Sequence, residues 1–118
     1  EKYFIYGIEN RIEQIIANLL DNAVSFSKNN GEVKVKVSKL NNHKVVINIL
    51  DQGQGFKESD TNKIFRRFYS NRPDKFGQHS GLGLNIVKNL ADLHNATIRA
   101  SNRQDKKGAS VEIIFPKV

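Results

Sequence analysis

Aromatic and aliphatic side chains alternate from Tyr3 to Ile8, which predicts a short strand ending at Gly7. From Glu9 the period changes. Ile8, Ile12, Ile15, Ile16, Leu19, Leu20, Ala23 and Phe26 recur three and four residues apart, the stripe of an amphipathic helix running to about Lys28, with Glu9 or Asn10 as its cap. Asn29-Asn30-Gly31 supplies the stop, with residues able to take the left-handed conformation. Two alternating runs follow, Val33 to Val37 and Val45 to Leu50, and predict a hairpin with one buried face and His43 solvated at its turn. Beyond them Asp60 or Thr61 is placed to cap a short helix, Lys63 to Tyr69, on which Phe65 and Phe68 face together as core anchors. Ser70 to Ser80 has no apolar period and predicts a loop or lid. Leu82, Ile86, Leu90 and Leu93, with Val87 beside them, then mark a second long helix ending at His94-Asn95. Ala96–Ala100 and Ser110–Phe115 give two last strands around the charged turn Asp105-Lys106-Lys107-Gly108.

Three places on this frame carry candidate chemistry. Asn18 and Asn22 lie about 40° apart around a helix axis and so share a face. Asparagine is a poor mid-helix residue, and among Ile16, Leu19, Leu20 and Ala23 its amide is partly buried and requires partners; an oxygen ligand for a hard cation is one use. Asp51 emerges where the second hairpin strand ends, followed by Gly53 and Gly55, and an ionised carboxylate there accepts hydrogen bonds, for instance from the exocyclic amine of a purine. Gly81-Leu82-Gly83-Leu84 opens a helix, and a glycine-rich entry presents free amides suited to phosphate. Each signal alone is weak; turns after strands are often built as Asp-x-Gly-x-Gly.

Composition narrows the class. At 118 residues, 38% hydrophobic, with eight glycines and two prolines, the chain fits one compact domain spanning 1–118. No apolar run reaches the roughly 18 residues of a membrane span, and the start lacks the layout of a signal peptide, so a soluble chain without membrane contact is expected, for which cytoplasmic residence is allowed. Having no cysteine excludes disulfides, thiolate zinc sites and cysteine nucleophiles. The net charge of +7 invites a nucleic-acid reading. That reading is the lesser one, because Lys63, Arg66, Arg67, Arg72 and Lys75 come with no helix-turn-helix, zinc or RNP pattern, and an anionic small ligand accounts for them as well.

Taken in order, the motifs resemble the ATP-binding catalytic domain of sensor histidine kinases, within the superfamily shared with gyrase, Hsp90 and MutL. Asn18-Leu19-Leu20-Asp21-Asn22-Ala23 is similar to the N box, Asp51-Gln52-Gly53-Gln54-Gly55 to the G1 box, Phe65-Arg66-Arg67-Phe68-Tyr69 to the F box and Gly81-Leu82-Gly83-Leu84 to the G2 box. The run from Phe68 to Pro73 with His79 to Leu84 looks most like the envelope-stress and symbiosis sensors of alphaproteobacteria. The resemblance implies an α/β sandwich of the Bergerat type: a mixed, mostly antiparallel sheet with helices packed on one face and nucleotide held between helices and lid.

It also implies roles. Asn22 and Asn18 would hold Mg²⁺ against ATP, Asp51 would take the adenine amine, Gly53 and Gly55 would shape the base pocket, and Phe26 would pack near the base. Ser80, Gly81, Leu82, Gly83 and Leu84 would lie at the phosphates, with Arg72 or Lys75 reaching in from the lid, since Ser25 and Ser70 stand where relatives often carry a basic residue. A degenerate nucleotide-binding regulatory module is the alternative those two serines favour. Relatives that hydrolyse ATP carry a Glu four residues before the metal asparagine; Asn18 stands there, and an amide is no general base. The implied reaction is γ-phosphoryl transfer to a histidine on a separate dimerisation domain, and from there to a response regulator. None of His43, His79 and His94 has the flanks of that acceptor histidine, so the isolated chain is not expected to label itself; the resemblance gives dimerisation to the separate domain, so a monomer is expected.

Overall fold

The computed structural model describes residues 3–27, 30–40, 43–53, 55, 56, 65 and 83–118. Their elements are α1 (Glu9–Phe26), β1 (Lys34–Lys39), β2 (Val45–Leu50), α2 (Gly83–Leu93), β3 (Thr97–Asn102) and β4 (Ala109–Phe115). All three strand pairings are antiparallel, in the order β1-β2-β4-β3, so β2 and β4 are the central pair, neighbours in the sheet but separated in sequence by α2 and β3.

The register explains the layers. Ile49, Val111 and Ala100 lie side by side across three strands, as do Ile47, Ile113 and Ile98, and this row faces the helices. Against it α1 buries Ile15, Leu19 and Ala23, and α2 buries Val87 and Ala91. Fully burying Ile15, Leu19 or Val87 contributes roughly 1.5–3 kcal/mol each and each alanine less, which is what holds two helices to one sheet face.

Several sequence expectations are corrected. Tyr3–Ile8 forms no strand; Ile8 instead caps α1 through its backbone, its carbonyl accepting from Arg11 and Ile12 N–H at 2.9 Å each, with no side-chain cap from Glu9 or Asn10. β1 is exposed on both faces, with Val35 and Val37 at 48% and 43%, because this edge strand lies beyond the reach of α1. Its Lys34, Lys36 and Lys39 suit an edge that has no further strand beside it among the described residues, where charge opposes strand addition. On α2 the buried face is Val87 and Ala91, while Leu93 stays 60% exposed. α1 stops at Ser27, whose Oγ donates to Ala23 O at 2.8 Å, and Asn30 takes the expected left-handed φ of 62°.

The end of α2 follows from its last turn. Asn95, φ 57°, donates to Asp92 O at 3.1 Å, and Ala96 N–H reaches back to Ala91 O at 2.8 Å, a Schellman closure with Ala96 and Ala91 both buried. His94 links the two helices: its Nε2 accepts from Ile8 N–H at 3.1 Å and its Nδ1 lies 2.8 Å from Leu90 O, which together call for the neutral ring with hydrogen on Nδ1. His43, in contrast, is exposed at the hairpin turn with φ 67°.

Candidate functional site

β2 has no exposed residue, with Val45, Val46 and Ile49 buried, and it delivers Asp51 directly into the interior, 2% exposed. A carboxylate there must exchange water for protein donors. Oδ1 accepts from Gly53 N–H at 2.9 Å and from Ala109 N–H at 3.0 Å. The Asp51 main chain is held as well, its N–H donating to Ala109 O at 3.0 Å and its carbonyl accepting from Arg103 Nη1 at 3.1 Å.

The loop leaving Asp51 touches two neighbours. Gly53 forms an isolated antiparallel bridge with Ser27, the residue after α1, and this brings the loop against the end of the asparagine helix. Asn22 lies five residues back along α1, about 7–8 Å of helix rise. Asn18 and Asn22 are both half-buried, and among the described residues no hydrogen bond to either side chain is found. Two stacked amide oxygens with those properties suit a hard cation.

On its far side the loop meets the β3–β4 turn. Gly55 has φ +81°, and a Cβ there would sit 2.5 Å from Asn102 Oδ1. The following residue, Phe56, is buried and bound twice by the same side chain: its N–H donates to Asn102 Oδ1 at 2.6 Å and its carbonyl accepts from Asn102 Nδ2 at 3.0 Å. Next to Asn102, the Arg103 side chain is 4% exposed and donates from Nε and Nη2 to the two oxygens of Asp105, at 3.0 and 2.7 Å. The hydrogen bond from Arg103 is the main cause that holds the Asp105 carboxyl at about 2, below its ordinary 3.8; in return the Asp105 hydrogen bond raises the guanidinium above its usual value.

Because the folded value of Asp105 is depressed, the clamp is complete above about pH 4 and lost as pH falls through about 2. An acid titration following the Arg103 Nε–H resonance is expected to show that transition, and Asp105→Asn to remove it. Persistence of the transition in the variant would assign it to another group.

Gly83 is exposed at the first turn of α2 and Leu84 is half-buried behind it. Asn85 Nδ2 donates to Phe65 O at 3.1 Å, joining α2 to the buried Phe65 expected as an anchor. The Phe26 side chain, Phe68, Arg72, Lys75, Ser80, Gly81, Leu82 and the predicted lid lie outside the described residues. Asn18, Asn22, Asp51, Gly53, Gly55, Gly83 and Leu84 are described, and the Gly53–Ser27 bridge sets Gly53 beside the end of α1. Sequence reasoning missed Asn102, Arg103, Ala109 and Asn85. The bonds of the first three to the loop cross 46 to 58 residues, and no local pattern marks them.

Residues 7–118 match the family described as histidine kinase-, DNA gyrase B- and HSP90-like ATPases. The chain belongs to this family. It is an ATP-binding domain of the sensor histidine kinase kind. The sensor protein ChvG of Agrobacterium fabrum is 39% identical over 109 residues, covering 90% of this chain and 18% of its own length. A mycobacterial sensor histidine kinase, MprB, superposes with a TM-score of 0.86 at 27% identity, over 95% of this chain and 76% of that one. Full-length ShkA, solved with AMPPNP, gives 0.80 at 26% identity over 98% of this chain and 23% of its own. This histidine kinase domain thus spans less than a fifth of the ChvG relative's length.

Proposed function

We propose that the domain binds Mg²⁺-ATP between α1, the Asp51 loop and the start of α2, and donates the γ-phosphoryl group to a histidine on a separate dimerisation and phosphoacceptor domain. A response regulator then receives the group, on the cytoplasmic side of a sensor kinase. The observation that carries this reading is the buried Asp51 carboxylate, oriented by two backbone N–H groups in a loop bridged to the end of the helix that bears Asn18 and Asn22.

Asp51 accepts the adenine amine, Gly53 and Gly55 leave room for the base, and Phe26 packs beside it. Asn22 and Asn18 hold the metal, which when bound neutralises charge across the phosphates. Gly81 and Gly83, with Ser80, Leu82 and Leu84, contact the phosphates, and Arg72 or Lys75 reaches them from the lid. Transfer breaks the bond from the γ-phosphorus to its bridging oxygen, forms a nitrogen–phosphorus bond on the incoming imidazole and releases ADP. Positioning carries most of that step. Asn18 cannot accept a proton from water as a carboxylate would, so hydrolysis is slow.

Incubation of the isolated domain with γ-³²P-ATP is expected to label it negligibly, and stoichiometric labelling would contradict the reading. His94, with both ring nitrogens engaged by backbone groups, fits that expectation. Asn22→Ala is expected to weaken binding of ATP roughly tenfold or more with magnesium present and little without it, the loss of one oxygen ligand. Equal losses with and without magnesium would remove Asn22 from the metal site.

A further inference from the structure

The end of β3 and the turn that joins it to β4 lie outside all four motifs, yet together they grip both ends of the base-recognition loop. We propose that Asn102 and Arg103 are positioning residues that set adenine selectivity by fixing where the Asp51–Phe56 loop presents its carboxylate. This deepens the reading above and rests on its assignment of Asp51 to the base.

At the first end, Arg103 Nη1 donates to Asp51 O and the neighbouring strand residue Ala109 donates to Asp51 Oδ1. At the second, one asparagine side chain satisfies both main-chain groups of Phe56, as a paired strand would. The turn itself is closed by Arg103 N–H donating to Gly108 O at 2.9 Å. Between the two ends Gly55 holds a left-handed φ with no room for a side chain against Asn102. The loop is therefore a short span bound at both ends to one hairpin, and that hairpin continues into β4 at the centre of the sheet.

The chemistry of the grip is specific. A planar guanidinium presents its donors in a fixed fork. Asp105 takes the Nε and Nη2 side of that fork in bidentate fashion, and the plane so fixed aims Nη1 at the Asp51 carbonyl. Asp105 is 62% exposed, so its part is to orient Arg103 from the surface. Lysine at 103 has one ammonium and cannot serve both partners. Aspartate at 102 keeps the acceptor for Phe56 N–H but sets an oxygen against Phe56 O.

Calorimetric titration of the domain with Mg²⁺-ATP and Mg²⁺-GTP tests this, together with amide exchange without nucleotide and thermal unfolding. In Asn102→Ala the Phe56 amide is expected to lose protection about tenfold, and the ratio of ATP to GTP affinity to fall about tenfold, the size of one or two hydrogen bonds. In Asp105→Asn, at an exposed site, the ratio is expected to fall about threefold with unfolding near that of the unsubstituted chain. A ratio unchanged in both variants overturns the proposal, leaving the turn a purely structural element. Should Asn102→Ala fail to fold, Asp105→Asn alone decides, by the same ratio. If the unsubstituted chain binds ATP and GTP equally, the base role of Asp51 fails separately; the exchange rate of Phe56 in Asn102→Ala then decides positioning, lost protection supporting it and unchanged protection overturning it.

Discussion

Asp51→Asn is expected to abolish the preference for ATP over GTP, lowering ATP affinity roughly tenfold to a hundredfold, the range for a hydrogen bond to a charged group. The direction follows from the bonds already present. Gly53 and Ala109 both donate to Oδ1, so an amide introduced at this place keeps its oxygen there and turns its NH₂ toward the position of the second carboxylate oxygen. A donor so placed opposes the adenine amine and matches the guanine carbonyl. GTP affinity is therefore expected to hold or rise while ATP affinity falls. Calorimetric titration with both nucleotides measures this; an undiminished ATP preference would take the base contact away from Asp51.

Gly108→Ala is expected to be the most damaging single methyl in the described part of the chain. Gly108 has φ +144°, a region that side chains rarely adopt, and an added Cβ would overlap the Asp51 carbonyl oxygen, a rigid main-chain atom. Strained backbone and an overfilled contact together cost about 3 kcal/mol or more, which for a domain of this size lowers the unfolding temperature by roughly 10 °C. The displaced atom is the same carbonyl that Arg103 holds, so nucleotide selectivity is expected to suffer in whatever fraction stays folded. Unfolding followed by circular dichroism checks the first part, and a midpoint within about 2 °C of the unsubstituted chain would contradict it.

How far the structure could be read from the chain depends on the range of the interactions. Periodic signals translated well: α1 buries Ile15, Leu19 and Ala23 of the predicted stripe, and β2 and β4 fall where alternating runs placed them. Glycine and asparagine signals held where φ is positive, at Asn30, Gly55 and Asn95. Failures came where a partner from elsewhere overrides a local pattern. Ile8 caps its helix because a histidine 86 residues away takes its N–H, and Val35 and Val37 alternate like a half-buried strand but end up on an edge. The site divides in the same way. Asn18, Asn22 and Asp51 stand in motifs short enough to read, whereas Asn102, Arg103 and Ala109 act on the loop only after β4 pairs beside β2.

Magnesium-dependent, adenine-selective nucleotide binding at the Asp51 loop and the asparagine helix is the property on which the proposed function depends. Calorimetric titration of the purified domain with ATP and a non-hydrolysable analogue, with and without Mg²⁺ and with phosphate release followed in parallel, tests it most directly. One site per chain is expected, tighter with Mg²⁺, the analogue binding like ATP, and negligible turnover. Absence of binding, or binding indifferent to Mg²⁺, would contradict it.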